Sequence, residues 1–479
     1  MPRSTAEAGE RTLADPVEGR GHRVKDPPED RHAETPSSET VAERLRRIAT
    51  LVEKAERRPF TTLAHHVDIA WLREAYARTR KDGAPGVDGQ SGEAYGEHLE
   101  ANLQNLARRI RTGTYRAPPV RGVEIPKGDA SGSTRPLGIP TFEDKVFQRA
   151  VVMLLEPLYE PEFHADSYGF RPGRSAHQAL AALNGCLMRG HGGWVLEVDI
   201  RKFFDTLDHD HLMALLQQKV RDGTVLTWIR SWLKAGVQKD GALTYRDAGT
   251  PQGGVISPLL ANIYLHYVLD LWFEEEVRPR LRGQSRLIRY ADDFVIVFEV
   301  EEDARRVLAV LPKRFGRYGL ALHPAKTKLV PFHQPRPPGW RGDEPHRPKP
   351  ESFDLLGFTH VWNRTRKGTW VLRQKTATNR LTRSLKAIRH WCKLHRHDSI
   401  KAQHAVLSSK VKGHFQYYGN PGNLDALWRY SREVFRAWFK WLSRRSQKVN
   451  WQRLIHATNA HPLPIPTVRP WNCTFAANP

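Results

Sequence analysis

Two adjacent acids in Tyr290-Ala-Asp-Asp293 interrupt an otherwise apolar run from Leu287 to Phe298. Adjacent carboxylates repel each other. A divalent cation relieves that repulsion and uses them as hard oxygen ligands. Taken alone, the pair reads more readily as an exposed acidic turn. The apolar residues on each side argue for a hairpin turning at Ala291-Asp292-Asp293, because ordinary acidic turns rarely sit deep in a sheet. A third acid, Asp199, ends the apolar run Trp194-Val-Leu-Glu-Val-Asp199. Alone, it could cap a helix beginning at Arg201-Lys-Phe-Phe204. On a strand beside the hairpin it supplies a third carboxylate, and such a set can hold two magnesium ions. Two metals activate a hydroxyl nucleophile and stabilise a leaving pyrophosphate.

The elements that must position these acids are strands, and the surrounding chain supplies them. Residues 115–139 read as short strands with prolines at their ends. Residues 141–190 read mostly as helix, broken at Tyr168-Gly-Phe-Arg-Pro-Gly-Arg174. Helical periodicity begins near Val41 and continues through Trp71, Leu72, Ala75 and Tyr76. It breaks at Lys81-Asp-Gly-Ala-Pro-Gly-Val-Asp-Gly-Gln90, which is turn chemistry. Residues 331–350 are rich in Pro, Arg and Gly and read as a loop. After residue 370 the apolar period is helical in Leu381, Leu385, Ile388, Trp391 and Leu394, and again in Leu424, Leu427, Trp428, Phe435, Trp438 and Leu442.

Charge singles out the same carboxyl-terminal region. The 479 residues carry 75 Lys and Arg against 52 acids, a net charge of +23. Residues 371–451 hold 18 of the cations and 3 acids, a local net charge of +15. Such an excess calls for a polyanion, either nucleic acid or an anionic membrane. Fourteen tryptophans among many arginines favour nucleic acid, because aromatic faces stack on bases. There is no run of about 18 apolar residues and no apolar signal region, so the expectation is a protein outside the membrane. Cys186, Cys392 and Cys473 lie far apart and make neither a disulfide framework nor a CxxC site, which suits a reducing cytoplasm. Residues 1–45 carry no aromatic side chain and a net charge of −3. Such a segment cannot bury enough surface to offset its chain entropy, and it reads as disordered.

Several motifs resemble one known family. Val198-Asp-Ile-Arg-Lys-Phe-Phe-Asp205 is similar to the first palm motif of reverse transcriptases. Gly249-Thr-Pro-Gln-Gly-Gly-Val-Ile-Ser-Pro-Leu-Leu-Ala-Asn-Ile-Tyr264 resembles the next, and Tyr290-Ala-Asp-Asp293 matches the metal-binding turn. The spelling is that of group II intron reverse transcriptase–maturases. Their other blocks follow in order: Ala84-Pro-Gly-Val-Asp-Gly89, Ile125-Pro-Lys127, Arg135-Pro-Leu-Gly-Ile-Pro-Thr141, Tyr168 to Arg174, His323-Pro-Ala-Lys-Thr-Lys328 and Phe353-Asp-Leu-Leu-Gly-Phe358. An ordered set of blocks across residues 60–450 is far more specific than any one motif.

The resemblance implies an α+β right-hand polymerase fold. After a disordered tail over 1–45 would come an amino-terminal helical extension over 46–110 and fingers and palm over 111–350. A primer grip and helical thumb or maturase domain over 351–455 would precede a tail over 456–479. It implies an RNA-directed DNA polymerase using Mg²⁺, with Asp199, Ile200, Asp292 and Asp293 around the metals. Lys127 and Arg135 would grip the triphosphate, and Phe204 would lie under the incoming sugar and exclude a 2′-hydroxyl. Gln252 and Gly253 would meet the nucleotide. Without the family, Phe204 reads as core and Lys127 and Arg135 as solvated charges. The basic helices carrying Arg429, Arg432, Arg436 and Lys440 would bind RNA, the rival reading being a solvated helix face. Implied partners are an RNA template, in particular group II intron RNA, a DNA primer or target, and dNTPs. Splicing assistance would be a second activity. The sequence departs from many relatives by showing no paired cysteines or metal-spaced histidines of an HNH endonuclease, which argues against target-DNA cleavage. Two rivals remain at this stage. One is a defence- or CRISPR-associated reverse transcriptase. The other is a non-enzymatic RNA-binding splicing factor, which has no need of three clustered acids.

Overall fold

The structure, a computed structural model, describes residues 39–54, 58–126, 133–190, 192–245, 248–250, 253–336, 348–445 and 450–469. Four helices open it: α1 (Val41–Lys54), α2 (Ile69–Arg78), α3 (Gly92–Glu97) and α4 (Leu99–Arg111). Asp68 caps α2 by accepting the Trp71 N–H at 2.8 Å, and its carboxylate also holds Arg44 of α1 at 2.7 Å. One acid thus satisfies an orphan helix donor and pins a neighbouring helix. α1 starts at Val41, so the boundary expected at residue 45 falls inside a helix. An antiparallel pair follows, β1 (Val120–Pro126) and β2 (Thr134–Ile139), with Arg135 opposite Ile125. α5 (Phe142–Tyr159) is buried along most of its length and accepts the Trp71 indole N–H at Ala150 O, 2.9 Å. α6 (Ala176–Met188) begins with a capping box of Ser175 and Gln178.

β3 (Trp194–Val198) leads through α7 (Phe203–Thr206), α8 (His209–Gln217) and α9 (Gly223–Leu233) to β4 (Val237–Lys239) and β5 (Ala242–Thr244). The first sheet has the order β2-β1-β4-β5. α10 (Ser257–Leu265) then runs on into two π-helical stretches, His266–Asp270 and Trp272–Val277. β6 (Ser285–Tyr290), β7 (Asp293–Phe298), α11 (Glu301–Gly316) and β8 (Lys328–Pro331) complete the central part. The second sheet has the order β6-β7-β3-β8, antiparallel throughout. Its two middle strands are apolar at nearly every position because both faces are covered. Leu196, Val198, Phe294 and Ile296 face one core with α5, α10 and α11; Val195, Val295 and Val297 face another with α6.

The third sheet, β11-β10-β9, comprises β9 (Phe353–Leu355), β10 (Phe358–Arg364) and β11 (Trp370–Thr376). It packs on the second core through Phe353, Leu355 and Leu372. Four helices follow: α12 (Thr378–Leu394), α13 (Ile400–Tyr418), α14 (Leu424–Leu442) and α15 (Trp451–Asn459). They close around a core of their own that includes Leu385, Val411, Val434 and Trp438. α15 spans the boundary expected at residue 455. The expected mixed α/β content is observed. Among the described residues no helix is long and apolar enough to cross a membrane.

Candidate active site

The register of the second sheet brings the acids together. β3 and β7 pair with Val198 opposite Phe294, so the next step of the ladder sets Asp199 beside Asp293. β6 and β7 close with Tyr290 opposite Asp293, which leaves Ala291-Asp292 as a two-residue turn. Ala291 takes φ = 56°, a left-handed conformation that costs an alanine about 1 kcal/mol. The turn is held from outside. A Cβ on Gly169 would lie 2.3 Å from the Ala291 nitrogen, so only glycine permits the Tyr168-Gly-Phe segment to approach it.

Asp199 and Asp293 line a cleft of about 720 Å³ together with Arg135, Lys326, Lys328, Arg380 and Arg383. Lys326 Nζ lies 3.2 Å from both Asp199 carboxylate oxygens. Burial raises the Asp292 carboxyl, the Asp199 charge raises it further, and Arg135 and Arg289 oppose the rise. Burial, with repulsion from Asp292 and Asp199, pushes Asp293 up to about 6, against the pull of Arg380 and Lys326. Two carboxylates held at a cost in their charged form, and a third paired with an ammonium, make a site that calls for cations. Their oxygens are the hard donors that Mg²⁺ takes. Among the described residues, no three such side chains are already gathered as a preformed metal cage.

The other expected residues fall in different places. Arg135 is exposed on β2 and reaches the cleft. Phe204 on α7 is half-buried, edge-on to Phe203 at 5.2 Å, and its carbonyl accepts the Thr250 N–H at 2.8 Å. Gly253 takes φ = 122°, and a Cβ there would lie 2.8 Å from Gly138 O on β2, so this position needs a glycine. Ile200 is buried next to Asp199, bridged to Leu322. Lys127 and Gln252 lie outside the described residues. Arg429, Arg432, Arg436 and Lys440 are all exposed on α14. Arg432 and Arg436 line a different groove, about 500 Å³, against α15, and Arg436 is paired with Glu433 at 2.7 Å.

Sequence reasoning missed three features. Lys326 was visible only as a letter in a motif. Asn379, Arg380 and Arg383 at the start of α12 line the cleft, although the helical period does not set them apart from the other polar positions of α12. Arg289, Asp270 and Asn262 form a buried polar group behind the turn; Asn262 lies in a quoted motif, but nothing local says that the three meet.

Residues 125–360 match the family described as reverse transcriptase (RNA-dependent DNA polymerase). Protein YkfC of Escherichia coli is 35% identical over 298 residues, covering 54% of this chain and 76% of YkfC. The group II intron-encoded protein LtrA of Lactococcus lactis is 39% identical over 227 residues, covering 45% of this chain and 37% of LtrA. A 91 kDa protein in the cob intron of Schizosaccharomyces pombe is 40% identical over 176 residues, 36% of this chain and 21% of that protein. The matched region holds the three aspartates, Arg135, Phe204 and Gly253 on the elements just described. The chain therefore belongs to the group II intron-encoded reverse transcriptase and maturase family.

Proposed function

We propose that this protein copies RNA into DNA by adding dNTPs to a primer 3′-hydroxyl, and that it also binds group II intron RNA and assists its splicing. One observation carries the first part: the ladder that sets Asp199 beside Asp293, with Asp292 on the adjoining turn, at a cation-lined cleft. In this reading the first two sheets serve as fingers and palm, the third as primer grip, and α12–α15 as thumb.

Asp199, Asp292 and Asp293 would hold Mg²⁺, with Ile200 beside them; the bound ions would activate the attacking hydroxyl and stabilise the leaving pyrophosphate. Arg135, with Lys127, draws the triphosphate to the cleft by charge-assisted hydrogen bonds. Gly253 lets backbone approach the nucleotide, and Gln252 contacts it. Phe204 closes the floor under the sugar, where a 2′-hydroxyl would collide with the ring. Asn379, Arg380 and Arg383 offer donors to the backbone of the nucleic acid entering from the α12 side. Proton and phosphate chemistry stays with the cleft residues; the exposed cations of α14 hold folded RNA elsewhere. The relatives' printed names speak of introns, which favours the intron reading over a defence-associated enzyme. Three acids on one sheet end disfavour a pure binder.

Asp292→Ala tests the polymerase part. DNA synthesis on an RNA template should vanish while RNA binding persists. Near-normal synthesis would remove Asp292 from the site. Sequencing RNA that co-purifies with the protein tests the splicing part, which predicts enrichment of a group II intron.

A further inference from the structure

We propose that Arg289, through a buried polar group with Asp270 and Asn262, positions Asp292 for metal binding. The inference rests on the polymerase reading and adds positioning residues to it. Arg289 is 0% exposed, and Asp270 and Asn262 are each 1% exposed. Its guanidinium donates Nε–H to Asp270 Oδ1 at 2.8 Å, and Nη2 pairs with Asp270 Oδ2. Nη1 is shared between Asn262 Oδ1 at 3.0 Å and the Ala291 carbonyl at 3.1 Å. Asn262 in turn donates to Gly169 O at 2.7 Å, and Gly169 is the residue packed on the turn. The Arg289 backbone is fixed as well: its N–H reaches Asp166 O and its carbonyl accepts from Tyr168, both at 2.9 Å.

The peptide that begins at the Ala291 carbonyl ends at the Asp292 nitrogen. Holding that carbonyl fixes the peptide plane and so the direction in which Asp292 projects. The left-handed backbone at Ala291 gives the turn a reason to relax, and the Arg289 bond opposes it. The helix beyond α10 is shaped to serve this group. In an unbroken α-helix, residues eight apart such as Asn262 and Asp270 drift about 80° around the axis. The wider π-helical stretch His266–Asp270 removes most of that drift, so both side chains meet one guanidinium. A buried ion pair is weak evidence for stability, since well-packed apolar residues often serve as well. The guanidinium's fork geometry against four acceptor oxygens on three residues, one of them on the turn that carries Asp292, points to orientation.

The test uses two variants of the full chain. Arg289→Met with Asp270→Leu removes both charges together and should keep the fold. Arg289→Lys keeps the ion pair but loses the fork that reaches Ala291 O. Each is measured for folding by circular dichroism, for Mn²⁺ binding by electron paramagnetic resonance, and for primer extension across a Mg²⁺ series. Both variants should fold, bind Mn²⁺ about 10–100-fold more weakly, and need correspondingly more Mg²⁺ with little change in dNTP KM. Folded variants with wild-type Mn²⁺ affinity would overturn the proposal, as would unfolding of both, which would make the group a stability element. Wild-type extension is read first: its absence would count against the polymerase reading, whereas Mn²⁺ affinity judges the positioning role separately.

Discussion

Replacing Asp293 by asparagine should make the metal-free hairpin more stable while destroying synthesis. Burial and two neighbouring carboxylates raise the Asp293 carboxyl from its ordinary 3.8 to about 6. In a fully enclosed group such a rise corresponds to about 3 kcal/mol. Asp293 is open to the cleft, and solvent screening reduces the figure to about 1 kcal/mol. The sign follows from the direction. A carboxyl with a raised folded value favours the fold fully below its unfolded value, and that contribution is lost as pH rises through about 6. At pH 7.5 the wild type therefore bears the cost and Asp293→Asn does not. Native-state hydrogen exchange of amides in β6 and β7 without divalent metal reads this local stability. Exchange should slow about 5-fold in the variant at pH 7.5, with the gap shrinking as pH falls through 6 and closing near 4. Adding Mg²⁺ should slow exchange more in the wild type than in the variant. Equal exchange at pH 7.5, or a gap independent of pH, would refute the view that these acids sit together at a cost.

Phe204→Ala should raise the ratio of rNTP to dNTP incorporation efficiency and, since the ring is half-buried, cost about 1–2 kcal/mol of stability; an unchanged ratio in single-nucleotide kinetics would make Phe204 core only. Neutralising Arg429, Arg432, Arg436 and Lys440 together should weaken intron RNA binding and flatten the slope of log K against log salt, by about 0.7–0.9 per lost phosphate contact. Short-primer extension at saturating template should fall less, and identical salt titrations would dismiss α14 as an RNA-gripping face. Gly169→Ala should reduce synthesis strongly, since a methyl group there meets the Ala291 backbone at 2.3 Å; wild-type rates on the RNA template would show that the Tyr168-Gly-Phe segment does not brace the turn.

Strands β3 and β7 were legible because both faces are buried and almost every residue is apolar, so the acids at their ends stood out. Helices α12 and α14 were legible from period and charge. The pairing itself was not: nothing local says that Val198 meets Phe294, and a shift of one residue would send Asp293 to the other face. The turn defied local chemistry. A two-residue hairpin loop favours Gly or Asn at positive φ, yet Ala291 occupies that position because Arg289 and Gly169 hold it from outside. Nothing local marks Arg289 as a buried cation, since a charged side chain in a strand usually faces solvent; its partner Asp270 sits on a π-helical stretch whose period a 3.6-residue pattern does not follow. The expected edges at residues 45 and 455 each fall inside a helix, α1 and α15, because composition marks a change of character and not the residue at which a helix begins or ends.

The most direct measurement is single-nucleotide incorporation by the wild-type protein on a DNA primer annealed to RNA, with each dNTP supplied separately in Mg²⁺. The carboxylates at the cation-lined cleft predict addition of the dNTP complementary to the RNA base, lost when Mg²⁺ is chelated and lost in Asp199→Asn. No incorporation, or incorporation that ignores the template, would contradict an RNA-copying polymerase built on Asp199, Asp292 and Asp293.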